Sequence, residues 1–227
     1  MKFETWSRVI TVSLLAMLVI PGGVAAQNTA KQHHPHQYHH YQIADPGTFG
    51  GADSSQLYPG PNEGVNNRGV AVGGADTSTP DPTSLCLNGD CYISYGFKWE
   101  NGVAHQLDAL PGFNSSFAAA VSNNGHVVGF SENGIDPLSG GRAVEAVSWN
   151  EDGSIIDMGS LGGNVGAAFS VNNRGEAAGM AQNTIPDPYT GSVFNFPGTT
   201  QPHAFRWTKS GGMQDMGTLG GADSRRT

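Results

Sequence analysis

The sequence predicts an all-β protein built from tandem four-stranded units, an arrangement typical of β-propeller blades. One observation is composition: 33 of the 227 residues are glycine, roughly twice the usual share, and only 13% are charged. Because glycine disfavours helices and suits tight turns, this composition favours many short strands. The other observation is repetition, since one series of short motifs recurs three times between residues 42 and 224.

Each unit contains four motifs in a fixed order. A glycine-rich turn comes first, and its copies stand at 45–51, 106–112, 157–163 and 215–221. An Asn-rich hairpin follows, then a strand with one fixed glycine, which is Gly73, Gly129 or Gly179. A strand that ends in tryptophan comes last, at Trp99, Trp149 or Trp207. We expect each strand glycine to mark the close approach of a backbone or a ring, and the tryptophans to lie where units stack.

The spacing of the copies gives units of about 50–60 residues with roughly four strands each, which is the size of a propeller blade. A β-solenoid, whose rungs are usually shorter, is the alternative. Gly50-Gly51-Ala52-Asp53-Ser54 recurs at 220–224, shortly before Thr227. Three units and the start of a fourth predict an incomplete ring: a truncated chain, or one that closes with other copies.

The N-terminal segment predicts export. Lys2 and Arg8 precede an apolar run over 9–20, and the small residues Val24-Ala25-Ala26 follow, which is the pattern of a cleaved signal peptide over 1–26. The apolar run is too short to span a membrane. Residues 27–41 form a His-rich linker and 42–227 the β-repeat domain, so we expect a secreted, periplasmic or cell-surface protein without a membrane span after cleavage.

The net charge limits the kinds of partner that the chain can bind, and its cysteines are interpreted according to the compartment in which it folds. A net charge of −8 makes the chain a poor binder of nucleic acid. Cys86 and Cys91 enclose an Asn-Gly turn, and in an oxidising compartment they are expected to form a local structural disulfide. Two cysteines without further ligands nearby are too few for a metal site.

Two groups of residues are candidate binding sites. An Asp-Pro-x-Ser/Thr element follows each strand glycine, and its carboxylates belong to Asp81, Asp136 and Asp187. Aligned on one face, these carboxylates could bind Ca²⁺ or a glycan, although Asp followed by Pro also suffices to build a type I turn. The linker carries five histidines that could bind a transition metal such as Zn²⁺, Cu²⁺ or Ni²⁺, or serve only as a polar spacer: His33, His34, His36, His39 and His40.

The third unit carries a family resemblance. His203-Ala204-Phe205 with Trp207, followed by the turn that ends at Leu219-Gly220-Gly221, resembles the His-Ala-Phe, Trp and Leu-Gly-Gly pattern of the HAF family of extracellular repeats. The segment 171–175 resembles its Ile-Asn-x-x-Gly element. The resemblance covers about three tandem repeats over 42–224, and the first two units lack the His-Ala-Phe triplet. It implies an exported β-rich repeat protein and no particular activity.

The function hypotheses follow from what the motifs include and lack. The sequence has no Gly-x-Ser-x-Gly elbow, no His-Glu-x-x-His and no phosphate-binding loop. We therefore expect a non-catalytic interaction or adhesion module that needs no cofactor and binds an extracellular protein or glycan through variable loops. The alternatives are a fragment of a secreted propeller-type polysaccharide hydrolase or lyase, and a His-rich metal-binding exported protein.

Overall fold

The computed structural model describes residues 42–55, 64–87, 89–187 and 200–224. Within these ranges the chain forms twelve β-strands and no helix, so the all-β prediction is confirmed. All the strands belong to the unit Ile43–Thr227. The predicted signal peptide, 1–26, and the His-rich linker, 27–41, lie outside the described residues.

Consecutive strands pair antiparallel and form three meanders of four strands. We call these M1, M2 and M3, and they contain β1–β4, β5–β8 and β9–β12. The strands are β1 Gly50–Ser55, β2 Ala71–Pro80, β3 Tyr92–Glu100, β4 Val103–Leu107, β5 Ser116–Val121, β6 Val127–Ile135, β7 Arg142–Trp149, β8 Ile155–Asp157, β9 Gly162–Val171, β10 Ala177–Pro186, β11 Thr200–Thr208 and β12 Gly212–Asp215.

The meanders make two open sheets. M1 is a four-stranded sheet of its own, whereas M2 and M3 join in an eight-stranded sheet. The junction is a short parallel pairing of β7 with β9, at Val144 and Val165. M2 packs against M1 on one side and against M3 on the other.

Buried side chains fill the contacts on both faces of M2. One cluster joins M1 to M2 and consists of Val70, Val72, Leu107, Leu110, Ala118, Val121, Val127, Val147 and Trp149. A second cluster joins M2 to M3 and consists of Ala120, Val128, Ala146, Met158, Ala168, Ala177, Ala181, Phe205 and Trp207. Adjacent residues such as Val127 and Val128 contribute to opposite clusters because side chains alternate along a strand.

The tryptophans differ in burial according to their meander. Trp149 and Trp207 lie in the two clusters and are 3% and 6% exposed. Nε1 of Trp149 donates to the carbonyl oxygen of Asp108 at 2.9 Å, which satisfies the one polar group of a buried indole. Trp99 of M1 is only partly buried.

Each strand glycine sits where the first strand of its meander crosses very close to the second. A Cβ atom on Gly129 would overlap the carbonyl group of Phe117, beside a register shift between Ala118 and Ala120. Gly73 and Gly179 face carbonyl oxygens in the same way, and a Cβ on either would also strike a ring, that of Phe97 or Phe205. These contacts explain why a side chain is absent at all three positions.

The Asn-rich hairpins connect neighbouring meanders by hydrogen bonds. Nδ2 of Asn66 in M1 donates to the carbonyl oxygen of Ser122 in M2 at 2.9 Å. The backbone N–H of Asn123 in turn donates to Oδ1 of Asn173 in M3 at 3.0 Å. Stacked meanders are therefore linked at this edge through side-chain amides as well as through the apolar clusters.

Replacing Gly129 by alanine tests the close approach of β5 and β6. The added methyl group must displace the backbone at Phe117, so we expect Gly129→Ala to lower the free energy of unfolding by about 2–3 kcal/mol. Gly89→Ala is the matched control, because no atom lies within 4 Å of its Cβ position. Urea unfolding measures both, and equal stability of the two variants would contradict the packing described here.

Candidate functional site

The Asp136 carboxylate is fully buried and accepts hydrogen bonds at both oxygen atoms. Oδ1 accepts from Nδ2 of Asn164 at 3.0 Å and from the backbone N–H of Leu138 at 3.2 Å. Oδ2 accepts from Oγ of Ser139 at 2.6 Å and from its backbone N–H at 3.2 Å. This geometry closes the turn that leads from β6 into β7 and ties it to β9, as the turn interpretation of the Asp-Pro element requires.

Burial and hydrogen bonding act on Asp136 in opposite directions. Burial raises the pKa of the carboxyl group, but the hydrogen bonds from Ser139, Leu138 and Asn164 outweigh it, and the pKa lies below its usual value. The charged form is therefore the one that the folded chain stabilises.

Asp81, the first aspartate of this series, also holds a turn. Oδ1 of Asp81 accepts from the backbone N–H and from Oγ1 of Thr83, both at 2.8 Å. Asp187, the third aspartate, is partly buried and directly follows β10. Asp81 and Asp136 are thus each held within a turn, and among the described residues Asp81, Asp136 and Asp187 do not form a cluster that could share one ion.

The β2–β3 loop, residues 81–91, is fastened at its base. The disulfide between Cys86 and Cys91 is present, and the backbone N–H of Asp81 donates to the carbonyl oxygen of Cys91 at 2.8 Å. The hydrogen bond joins the two ends of the loop, and the disulfide ties its middle to the second end, so the segment Pro82–Leu85 lies between two fixed points.

A cavity of about 520 Å³ lies between this loop and M2, and we call it the M1–M2 cavity. The loop supplies Thr83 and Ser84, the segment before β5 supplies Phe113, and the β6–β7 hairpin supplies Glu132 and Arg142. It combines an aromatic ring, hydroxyl groups and a pair of opposite charges, a mixture that is typical of ligand sites.

Glu132 and Arg142 form a buried ion pair in the wall of this cavity. Oε1 of Glu132 contacts Nη1 of Arg142, and the two residues are 8% and 7% exposed. Oε2 of Glu132 accepts the backbone N–H groups of Asn114 and Ser115 at 3.2 and 3.0 Å. Among the residues that the structure describes, Nη2 of Arg142 has no hydrogen-bond partner.

Burial and a neighbouring carboxylate affect the pKa of the Arg142 guanidinium in opposite directions. Burial lowers its pKa to about 10, although the negative charge of Asp81 acts in the opposite direction. The group remains charged at neutral pH, so the cavity wall contains a permanent cation with one donor that no described residue accepts.

A group of carboxylates elsewhere in M1 has the spacing of a possible cation site. The carboxylate oxygens of Asp53, Asp76 and Asp90 lie within 4.8 Å of one another. Asp76 is buried and accepts a hydrogen bond from Oγ of Ser94, whereas Asp53 and Asp90 are exposed. Oxygen ligands of this kind suit Ca²⁺, which makes this cluster, rather than the aspartates of the Asp-Pro series, the place where the described residues could hold an ion.

Glu132 and Arg142 belong to none of the recurring sequence motifs. Their signal is weak, because charged residues inside strands are ordinarily surface residues. The usable clue was their placement on either side of the Asp136 turn, which brings strand residues 132 and 142 to the same end of one hairpin. The histidines at 33–40 lie outside the described residues.

Replacing Asp136 by asparagine tests the turn role and its pH dependence. Since the folded pKa lies below the unfolded value of 3.8, the carboxylate stabilises the fold fully above about pH 5, and this contribution is lost progressively as the pH falls through the unfolded and then the folded pKa. We expect Asp136→Asn to cost about 1–3 kcal/mol at pH 7 and to flatten the loss of stability in acid.

Urea unfolding at a series of pH values between 2.5 and 7, roughly spanning the carboxyl range, measures this effect. Asp223→Asn, at an exposed aspartate, is the control and should leave the unfolding free energy nearly unchanged. A variant of Asp136 with unaltered stability at pH 7 would rule out the turn role.

Comparisons with protein-family models, curated proteins and solved structures found no match for this chain. The resemblance to the HAF family therefore stays a prediction. Across the described ranges, no helix has the length and apolar character needed to cross a membrane. The chemistry of the M1–M2 cavity is the most specific feature from which a function can be inferred.

Proposed function

We propose that this chain is a secreted, non-catalytic β-repeat protein that binds an extracellular protein or glycan through loops at one edge of its stacked meanders. The observation that carries the proposal is the M1–M2 cavity, where a loop fastened by a disulfide faces a buried arginine with a donor that no residue in the described ranges accepts. Loops on a repetitive scaffold are where recognition usually resides.

The repeat part of the proposal is supported by recurring local geometry. The turn aspartates Asp45, Asp157 and Asp215 each accept a hydrogen bond at Oδ1 from the backbone N–H two residues on, at 2.7–2.8 Å. The glycines that open the first and third meanders, Gly50 and Gly162, have φ values of 101° and 102°. Gly220, at the fourth copy of the motif, has a φ value of 99°.

The stacking of the units also recurs, which favours a propeller-like arrangement over a solenoid. The backbone N–H of Gly96 in β3 donates to Oγ of Ser116 at the start of β5, at 2.9 Å. The backbone N–H of Ala204 in β11 donates to Oγ of Ser224 at 3.0 Å. Segment 220–224 thus contacts M3 in the same way as the start of β5 contacts M1. Four-stranded antiparallel meanders are also the strand pattern of propeller blades.

The motif that suggested the HAF family has a clear structural use. Nδ1 of His203 lies 2.8 Å from Oδ2 of Asp215, and Nε2 lies 3.2 Å from the carbonyl oxygen of Ala222. His203 therefore connects β11 with the turn that follows β12. A histidine that joins these segments is consistent with a repeat signature that serves folding.

One carboxyl group favours the alternative of a polysaccharide hydrolase. Burial and the nearby charge of Asp157 raise the pKa of Glu145, while a hydrogen bond from Asn133 opposes them. A carboxyl group with a raised pKa is the usual general acid of such enzymes. Release of reducing sugar that Glu145→Gln abolishes would establish the enzyme in place of the binding module.

Blocking the M1–M2 cavity tests the proposed function. We expect the full chain to bind the surface of the cells that produce it, or at least one extracellular polysaccharide, saturably and without turnover. Ser84→Trp adds a large side chain at the exposed mouth of the cavity and should weaken this binding at least about tenfold.

Ser210→Trp, in the exposed turn between β11 and β12, makes the same change away from the cavity and should bind like the unaltered chain. Biolayer interferometry with immobilised protein compares the affinities of the unaltered chain, Ser84→Trp and Ser210→Trp. Absence of binding by the unaltered chain, or equal losses in the two variants, would overturn the proposal.

A further inference from the structure

We propose that the M1–M2 cavity is a subsite for a neutral sugar ring, with the Arg142 guanidinium donating to a ring hydroxyl and the Phe113 ring lying against its apolar face. This inference rests on the proposed function, because it names the class of ligand that the same loops would bind. It concerns side chains that the repeat motifs do not include.

Two polar atoms, one on a residue of the cavity wall and one on the residue that precedes the lining segment Pro82–Leu85 in the chain, are suited to bind a hydroxyl. Nη2 of Arg142 is a buried donor that has no hydrogen-bond partner among the described residues. Oδ2 of the nearby Asp81 is a buried acceptor that also has no hydrogen-bond partner among them. Leaving such groups unsatisfied is costly. A hydroxyl both accepts and donates, so neighbouring hydroxyls of a sugar can serve the two groups, which an aliphatic ligand cannot do.

The charges around Arg142 favour a neutral ligand over an acidic one. Glu132 already neutralises the guanidinium at Nη1, and Asp81 adds a second negative charge close by. The chain as a whole has a net charge of −8. A carboxylate or sulfate on the ligand would meet two carboxylates for one guanidinium, and would therefore be repelled.

Phe113 gives the cavity an apolar platform. Its Cε1 atom lies 3.6 Å from the position that a Cβ would take on Gly134. Gly134 has a φ value of 101°, a left-handed backbone that disfavours other residues, so no side chain from this position covers the ring. An aromatic ring next to polar groups is suited to the alternating apolar and hydroxyl surfaces of a pyranose.

Ligand entry requires a movement of the β2–β3 loop. Nη2 of Arg142 and Oδ2 of Asp81 are both shielded from water, whereas Pro82, Thr83 and Ser84 are exposed. An outward shift of this short exposed segment would open both atoms to a hydroxyl while the disulfide retains the base of the loop.

The site occurs once in the described part of the chain. The positions that match Glu132, three residues after the strand glycine, are Asp76 in M1 and Gln182 in M3. The positions that match Arg142, seven residues before the tryptophan, are Tyr92 and Thr200. M2 alone combines the carboxylate and the guanidinium, so we expect one sugar site in each chain.

Isothermal titration of the full chain with neutral and acidic oligosaccharides tests the inference. Suitable probes are manno-, gluco- and galacto-oligosaccharides on one side, and oligogalacturonate and a sulfated oligosaccharide on the other. We expect one neutral series to bind with a stoichiometry of one and the acidic probes to bind at least about tenfold more weakly.

Arg142→Lys is the decisive variant, because a lysine still supplies a cation for Glu132 but lacks the second nitrogen that would donate to the ligand. We expect it to weaken neutral-sugar binding at least about tenfold, and Phe113→Leu to weaken it about fivefold. Arg206→Lys, at an exposed arginine of β11 that pairs with Glu176, is the matched control and should leave binding unchanged. Thermal unfolding establishes that each variant is folded before its affinity is compared.

The outcomes of these experiments distinguish failure of the sugar subsite from failure of the proposed interaction module. Preferred binding of acidic probes, or unchanged affinity in Arg142→Lys, would overturn the sugar subsite. If Ser84→Trp still abolished binding to the cell surface in either case, the interaction module would stand without it. If Asp81→Asn left sugar affinity unchanged, the Asp81 carboxylate would not contact the ligand, and the subsite as proposed would also be overturned.

Discussion

The packing of M2 on both of its faces is the constraint on which the rest of the structure depends. A meander between two others must present buried side chains on alternate faces of every strand, and it must let the neighbouring backbones approach closely. Ala118 and Ala120 in β5, and Ala146 in β7, meet both requirements and are at most 1% exposed. The low charge and high glycine content of the chain follow from this packing, since long polar side chains have no place in such contacts.

Polar groups at the edges determine how the stacked meanders align. Apolar contact favours close packing but is not directional, so the clusters alone allow neighbouring meanders to slide against each other. The hydrogen bonds from Asn66 to M2 and from Asn123 to M3 form only when the two meanders are aligned in one way. The Glu132–Arg142 pair stands apart from these links. Burying such a pair gains little stability compared with apolar residues of similar size, so stability alone does not account for its presence in the cavity wall.

Much of the fold could be predicted from the sequence because the relevant residues repeat. Recurrence at a fixed place drew attention to Gly129 and Trp149, and both lie at close contacts between strands or meanders. The meaning of a recurring polar residue was harder to predict. Asp136 could have bound an ion or formed a turn, and only the positions of Ser139 and Asn164 distinguish the two.

Residues that do not recur from one repeat unit to the next could not be predicted from the sequence, and the reason is physical. Arg142 becomes notable through its burial and its unused donor, and both depend on how M1 packs against M2. The acidic cluster is similar, since Asp53, Asp76 and Asp90 come from separate segments that only folding brings together. Sequence patterns report local geometry and periodic burial, whereas a site built between units depends on contacts that no single segment contains.

Native-state hydrogen exchange of the backbone amides tests the packing of M2 most directly. If the two faces of M2 hold the meanders together, hydrogen-bonded amides of β5, β6 and β9 will exchange most slowly. They will also share one free energy of opening, equal to that of global unfolding. Loss of protection throughout β9 and β10 while β5 and β6 remain protected would contradict this account, because it would mean that M3 unfolds independently of M2.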